Sequence, residues 1–142
     1  MQDLEIKPIT LLFDLETTPL DAARTEIHCL VILDYETGET TRYNDTGAGQ
    51  SILTGVKDLM FADTIIGHNI IGFDIPVIER CYPFFEPQGR VVDTLLLSRL
   101  YHPDMLEIDR KRKVEGMPTK LYGRHSLESY GHRLGEYKGN FG

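Results

Sequence analysis

Asp14 and Glu16 close an apolar run, Ile9-Thr-Leu-Leu-Phe-Asp14-Leu-Glu16-Thr-Thr18, and Asp74 closes a second short signature, Gly67-His-Asn-Ile-Ile-Gly-Phe-Asp74, about sixty residues on. Two acids separated by one residue on a strand project from the same face. Side by side they repel, and a cation between them removes that cost. Oxygen-only ligands favour Mg2+ or Mn2+ over zinc. Mg2+ binds through few carboxylates and keeps positions for water and substrate phosphate. If Asp74 reaches the same point, the three carboxylates make a hard-cation site with room for two ions. One ion would ready a water and the other would stabilise a leaving 3′ oxygen, which is phosphodiester chemistry. Asp14, Glu16 and Asp74 are therefore the candidate catalytic and metal-ligating residues.

The strands and helices around these acids are legible in outline. Residues 9–16 read as a buried central strand with its carboxyl end at the two acids. Residues 27–34 form a second strand, and Tyr35-Glu-Thr-Gly38 turns the chain into a third over 39–43. Ser51 is placed to cap a helix through Met60, with Ile52, Leu53, Val56, Leu59 and Met60 on one face. Thr64 to Gly67 is a short fourth strand, followed by the Asn69–Asp74 segment and a helix to about Arg80 with Pro76 in its first turn. After a loop with Pro83 and Pro87, Arg90-Val-Val is a brief strand, and Asp93 can cap a helix over 94–101 that packs Leu95, Leu96 and Leu97 inward. Residues 102–124 read as a polar loop, and Ser126 caps a last helix with Leu127, Tyr130 and Leu134 as its buried positions. The order gives an α/β fold: a mixed sheet, antiparallel in its first three strands and parallel elsewhere, flanked by helices. Ligands of such sheets sit beyond the carboxyl ends of the strands, where Asp14 and Glu16 fall.

A chain of 142 residues, 41% hydrophobic, suits one domain around one core. No run has the length of a membrane span and no secretory signal layout opens the chain, so the expected setting is the cytoplasm, with no membrane partner. Cys29 and Cys81 stand alone in apolar surroundings and read as reduced core residues. The net charge of −7 is uneven: residues 1–105 hold 17 acids against 7 Lys and Arg, and residues 106–142 hold 5 against 8. An acidic body is a poor nonspecific nucleic-acid binder, but it is compatible with a small site where bound cations reverse the field.

Taken together, Phe13-Asp14-Leu-Glu16-Thr17 and Asn69-Ile-Ile-Gly-Phe73-Asp74 resemble the first two motifs of the 3′–5′ exonuclease (proofreading) domain of family A DNA polymerases, a DEDD exonuclease of the ribonuclease-H-like superfamily. The segments Val92-Asp-Thr-Leu-Leu-Leu-Ser-Arg-Leu and His125-Ser-Leu-Glu-Ser-Tyr-Gly-His-Arg-Leu-Gly-Glu resemble stretches of the enzymes of short-tailed bacteriophages. The resemblance implies a ribonuclease-H-like sheet and two Mg2+ or Mn2+ ions on Asp14, Glu16 and Asp74. It implies that Thr17 and Leu20 contact the terminal nucleotide of a single-stranded DNA 3′ end. Asn69 and Phe73 would position the second motif and the penultimate nucleotide. In a phage-encoded enzyme the setting would be the host cytoplasm. The family's third motif, Tyr-x-x-x-Asp, is absent from these residues; Tyr101 and Asp104 are one step short of it. Residues 1–142 are therefore expected to be a single exonuclease-like domain incomplete at its C-terminus, completed by a polymerase domain or by a C-terminal complement supplying the missing helix.

Three other features have quieter readings. His68 reads as a hydrogen-bonded structural residue, and Asp93 as a helix cap, with a supporting role near the site as its alternative. Arg110-Lys-Arg-Lys113, with Lys120 and Arg124, is either a solvated run or a contact for strand phosphates. The leading function is a metal-dependent exonuclease module acting on DNA. Its alternatives are a catalytically impaired remnant that binds DNA or a partner without cutting, and a ribonuclease.

Overall fold

A computed structural model describes residues 6–18, 25–46 and 50–136 of the chain. Strand β1 (Thr10–Thr17) buries Leu11, Phe13 and Leu15 on one face and leaves Asp14 and Glu16 exposed on the other, the alternation a period of two dictates. Strand β2 (Ile27–Asp34) pairs with it antiparallel, setting Asp14 opposite Val31 and Glu16 opposite Cys29. The hairpin turn is held by the Asp34 carboxylate, which accepts the N–H groups of Glu36 and Thr37, and by Gly38 at φ 74°. Strand β3 (Thr40–Tyr43) follows, antiparallel to β2. Strands β4 (Thr64–Gly67) and β5 (Arg90–Asp93) then add in parallel, giving the order β3-β2-β1-β4-β5. The mixed sheet expected from the sequence is thus the one observed.

Helix α1 (Ile52–Phe61) begins where expected: Ser51 Oγ accepts the Thr54 N–H. Its buried stripe is Ile52, Gly55, Val56 and Leu59, an i, i+3, i+4, i+7 set. Leu53 lies off that stripe and is 38% exposed, a correction to the expected face. Helix α2 (Ile75–Cys81) contributes Ile75, Val77 and Ile78 to the same core. Cys29 is buried as expected, but Cys81, at the end of α2, is exposed. Neither cysteine is in a disulfide.

The loop before β5 turns on Gly89. A Cβ there would lie 2.2 Å from the Asp63 carbonyl oxygen and 2.3 Å from that of Ala62, both backbone atoms that cannot swing aside. Gly89→Ala is expected to cost about 2–3 kcal/mol through overpacking. Thermal melting should show a midpoint drop of roughly 5–10 °C. A variant that melts with the parent would show that this strand entry relaxes freely.

The chain divides into two compact units, residues 1–93 and 94–142. The sheet, α1 and α2 make up the first. The second is helical: α3 (Thr94–Tyr101), α4 (Met105–Arg112), a 3-10 turn at Thr119–Leu121 and α5 (Leu127–Leu134). Helix α4 replaces much of the expected loop over 102–124; its Met105 and Asp109 are buried. Ser126 caps α5 through the Ser129 N–H, as its spacing implied.

The inward faces of two helices differ from expectation. Leu96 and Leu97 of α3 are 48% and 39% exposed, while Ser98 is buried. In α5, Leu127 and Leu134 are 57% and 70% exposed, and Ser129 and Arg133 take the interior. The reason is polar. Arg133 grips fully buried Asp109 with two bonds, Nε to Oδ1 at 2.9 Å and Nη2 to Oδ2 at 2.7 Å. Ser129 donates to the Leu121 carbonyl at 3.0 Å. Buried polar groups must be matched, and these matches set the orientation of the helices.

Candidate active site

Because β1, β4 and β5 run parallel, Glu16, Gly67 and Asp93 come to the same end of the sheet. There β1 carries a register irregularity between Glu16 and Thr17, the kind of local break that re-aims side chains at strand ends.

Asp74 is delivered by an unusual segment. Gly67 ends β4 with no space for a side chain: a Cβ would lie 2.2 Å from Ile70 Cγ2 and 3.0 Å from the Phe13 carbonyl oxygen. Asn69 then adopts the left-handed conformation, φ 60° and ψ 30°, which Asn tolerates better than most residues. Ile70–Asp74 is a π-helical turn, a rare form frequent at functional sites. Ile70 is fully buried and Phe73 packs partly buried against the core, anchoring the turn. Phe73 N–H donates to the Asn69 carbonyl, and a Cβ on Gly72 would lie 2.7 Å from Asn69 Oδ1.

The turn lays the Asp74 carboxyl against β1, where Oδ2 accepts the Leu15 N–H at 3.3 Å. Leu15 is the residue between Asp14 and Glu16, so Asp74 meets the β1 backbone between these two acids. Burial pushes the Asp74 carboxyl up to about 7, with the charge of Asp14 adding to the shift, the Leu15 N–H opposing it, and the charge of Asp93 adding less. At neutral pH this group is balanced between neutral and charged, and a cation beside it would take the place of the proton.

Asp93, also buried, accepts the Asn69 N–H at 2.9 Å on Oδ1 and the Ile71 N–H at 3.0 Å on Oδ2. Of its two readings the one near the site therefore has direct contacts behind it. In the sequence alone an Asp just before an apolar helix looks like a cap. The missed signal was its register: Asp93 pairs with Gly67, immediately before the second signature.

Asp14 and Asp74 lie within electrostatic reach of each other. Glu16 stands exposed on the Asp14 face of β1. Among the described residues no three His, Cys, Asp or Glu side chains are grouped closely enough to hold a metal ion as they stand. Thr17 is half-buried beside the register break, Asn69 is exposed and Phe73 is half-buried. Leu20 lies outside the described residues. The donor set is all oxygen and includes one buried carboxyl facing a like charge, and that suits a hard divalent cation.

No family profile matches the chain. It is 33% identical over 135 residues to the DNA-directed DNA polymerase of Escherichia phage T7, covering 90% of this chain and 19% of that protein. The chain thus spans about a fifth of the length of this relative. Solved structures share its fold. The zinc-bound form of E. coli exonuclease I with single-stranded DNA superposes with a TM-score of 0.59 at 14% identity, over 88% of this chain and 35% of that one. Brucella melitensis NrnC with bound Mg2+ gives 0.57 at 16% identity, over 96% and 58%. At these identities the likeness bears on the fold alone, and the mixed α/β plan is the expected one.

Proposed function

We propose that this chain, similar over 135 residues to a phage DNA-directed DNA polymerase, is the metal-dependent 3′–5′ exonuclease (proofreading) module of a phage-type DNA polymerase. The observation that carries the proposal is the buried Asp74 carboxyl resting on the β1 backbone between Asp14 and Glu16. Asp14, Glu16 and Asp74 would hold two Mg2+ or Mn2+ ions. Repulsion among three carboxylates opposes their closure, and cations reverse that balance. When bound, such ions ready a water and stabilise the charge that develops on the leaving 3′ oxygen.

The chain's own residues supply the rest. Asp74, poised near neutrality, exchanges a proton for a cation at modest cost. Thr17, at the register break, and Leu20 would receive the terminal nucleotide, while Asn69 and Phe73 would position the second motif and the penultimate nucleotide. Single-stranded ends are commonly held by stacking on apolar and aromatic side chains, and Phe73 is suited to that. The substrate is a single-stranded DNA 3′ end, the partner a polymerase domain or C-terminal complement bearing the third motif, and the setting the host cytoplasm. No helix among the described residues is long and apolar enough to cross a membrane.

Incubation of 5′-labelled single-stranded DNA with the chain and Mn2+ should shorten it stepwise from the 3′ end, and Asp14→Ala should abolish the shortening. A matched RNA strand should be cut more slowly. DNA left intact at high protein concentration in both Mn2+ and Mg2+ would favour the remnant that binds without cutting.

A further inference from the structure

The geometry points to Asp93 as a positioning residue for the proposed metal centre: its carboxylate, supplied by the neighbouring strand, sets the conformation of the segment that carries Asp74. The inference rests on the exonuclease reading and adds to it a residue outside the two motifs.

The segment from Asn69 to Asp74 does not hold itself. Its first residue is left-handed without being glycine, a conformation that persists only where the surroundings enforce it. Its body is a π-helical turn, and the N–H groups at the start of any helical turn lack partners within it. Asp93 supplies what is missing. One oxygen takes the Asn69 N–H at 2.9 Å and the other the Ile71 N–H at 3.0 Å, so a single planar group fixes two amides two residues apart. Bonds from backbone N–H to a carboxylate are charge-assisted and stronger than neutral ones. Asp93 is 5% exposed, so water is a poor substitute for it.

The path from this clamp to the metal centre is short. Ile71 lies three residues before Asp74, and the turn between them is pinned by buried Ile70 beneath and by the Asn69 side chain over Gly72. At the far end Asp74 Oδ2 meets the Leu15 N–H. A change in the Asn69 or Ile71 amide therefore displaces the Asp74 carboxyl along β1, toward or away from Asp14. Groups that hold metal ligands in place typically govern affinity by ~10–100-fold.

Asp93→Asn tests this. Asn keeps the shape but presents one acceptor where two are needed, and its NH2 group opposes the second N–H. Mn2+ uptake by wild type and variant is followed by the loss of free-ion electron paramagnetic resonance signal, and Mn2+ dependence by shortening of labelled single-stranded DNA. The variant should melt cooperatively, need about tenfold or more Mn2+ for half-occupancy and for half-maximal rate, and regain most of the wild-type rate at saturating Mn2+. A residue that only supports the fold would lower the fraction of active protein and leave both midpoints unchanged. Unchanged midpoints in a folded variant overturn the inference. If Asp93→Asn does not fold, Asp93→Ser, able to accept from one amide, is judged by the same midpoints. Failure of the exonuclease reading is a separate result: wild type itself would take up no Mn2+ and shorten no DNA.

Discussion

Asp74→Asn should make the metal-free protein more stable at pH 8 and at the same time remove its response to divalent cations and its nuclease activity. The stability part follows from linkage. The Asp74 carboxyl sits at about 7 in the folded chain against an ordinary 3.8. A carboxyl raised on folding contributes stability that is fully present below its unfolded value and is lost as pH rises through its folded one. Wild type therefore weakens between about pH 4 and pH 7, where the buried carboxylate must ionise beside Asp14. Asparagine never ionises and can still accept the Leu15 N–H. The expected gain at pH 8 is on the order of 2 kcal/mol, shrinking toward zero near pH 4.

The functional part has the opposite sign. Mg2+ or Mn2+ at a hundred times its dissociation constant should stabilise wild type by about 2.7 kcal/mol and leave Asp74→Asn unmoved. Nuclease activity should fall by on the order of a thousandfold, corresponding to the several kcal/mol that metal-ion stabilisation supplies. Wild-type activity should climb as pH rises through about 7, where cations no longer compete with the Asp74 proton. Melting curves at pH 4 and pH 8, with and without Mn2+, decide it. An asparagine variant less stable than wild type at pH 8 would mean that the Asp74 carboxylate is held by groups that favour its charge, and the reading of this site as a cation receptor would fail with it.

What the sequence disclosed depended on whether a residue's role was local. The strands were legible because a sheet core leaves short apolar runs bounded by charged or turn residues, as in Ile9 to Leu15 closing on Glu16. The caps at Ser51 and Ser126 were legible because they bond residues three places on. Asp14 and Glu16 stand out as candidates by ending an apolar strand. The way Asp74 arrives did not: a left-handed Asn and a π-helical turn leave no periodic trace, and the Asp93 clamp spans 22 to 24 residues. Residues 94–136 misled for the same reason. Apolar spacing marked Leu96, Leu97, Leu127 and Leu134 as interior, but that interior is organised around a charge pair whose partners stand 24 positions apart.

That pair should make Asp109→Ala the most destabilising single change in the helical unit. Asp109 is fully buried, and its side chain accepts two bonds from Arg133 and one from the Gly123 N–H at 2.8 Å. Arg133 also donates from Nη2 to the Arg124 carbonyl at 2.7 Å, so the one ion pair ties α4, α5 and the loop before α5 together. Removing the carboxylate strands a buried guanidinium, with an expected loss of about 3–5 kcal/mol. Replacing both partners, Asp109→Leu with Arg133→Met, should recover most of that loss, since apolar groups of similar volume carry no desolvation penalty. Arg133 also holds the Asp109 carboxyl below the usual range, so its stabilisation is present above the unfolded value near pH 4 and disappears as pH falls through the folded one. Acid should thus weaken the helical unit while it relieves Asp74 in the sheet unit. Amide hydrogen exchange from pH 3 to pH 8 would read the two separately: protection in 94–136 should fall toward low pH, and protection around β1 and Asp74 should fall toward high pH. If the double variant proves as unstable as Asp109→Ala alone, the pair is worth more than the packing that replaces it, and the helical unit depends on its charges rather than on the volume they fill.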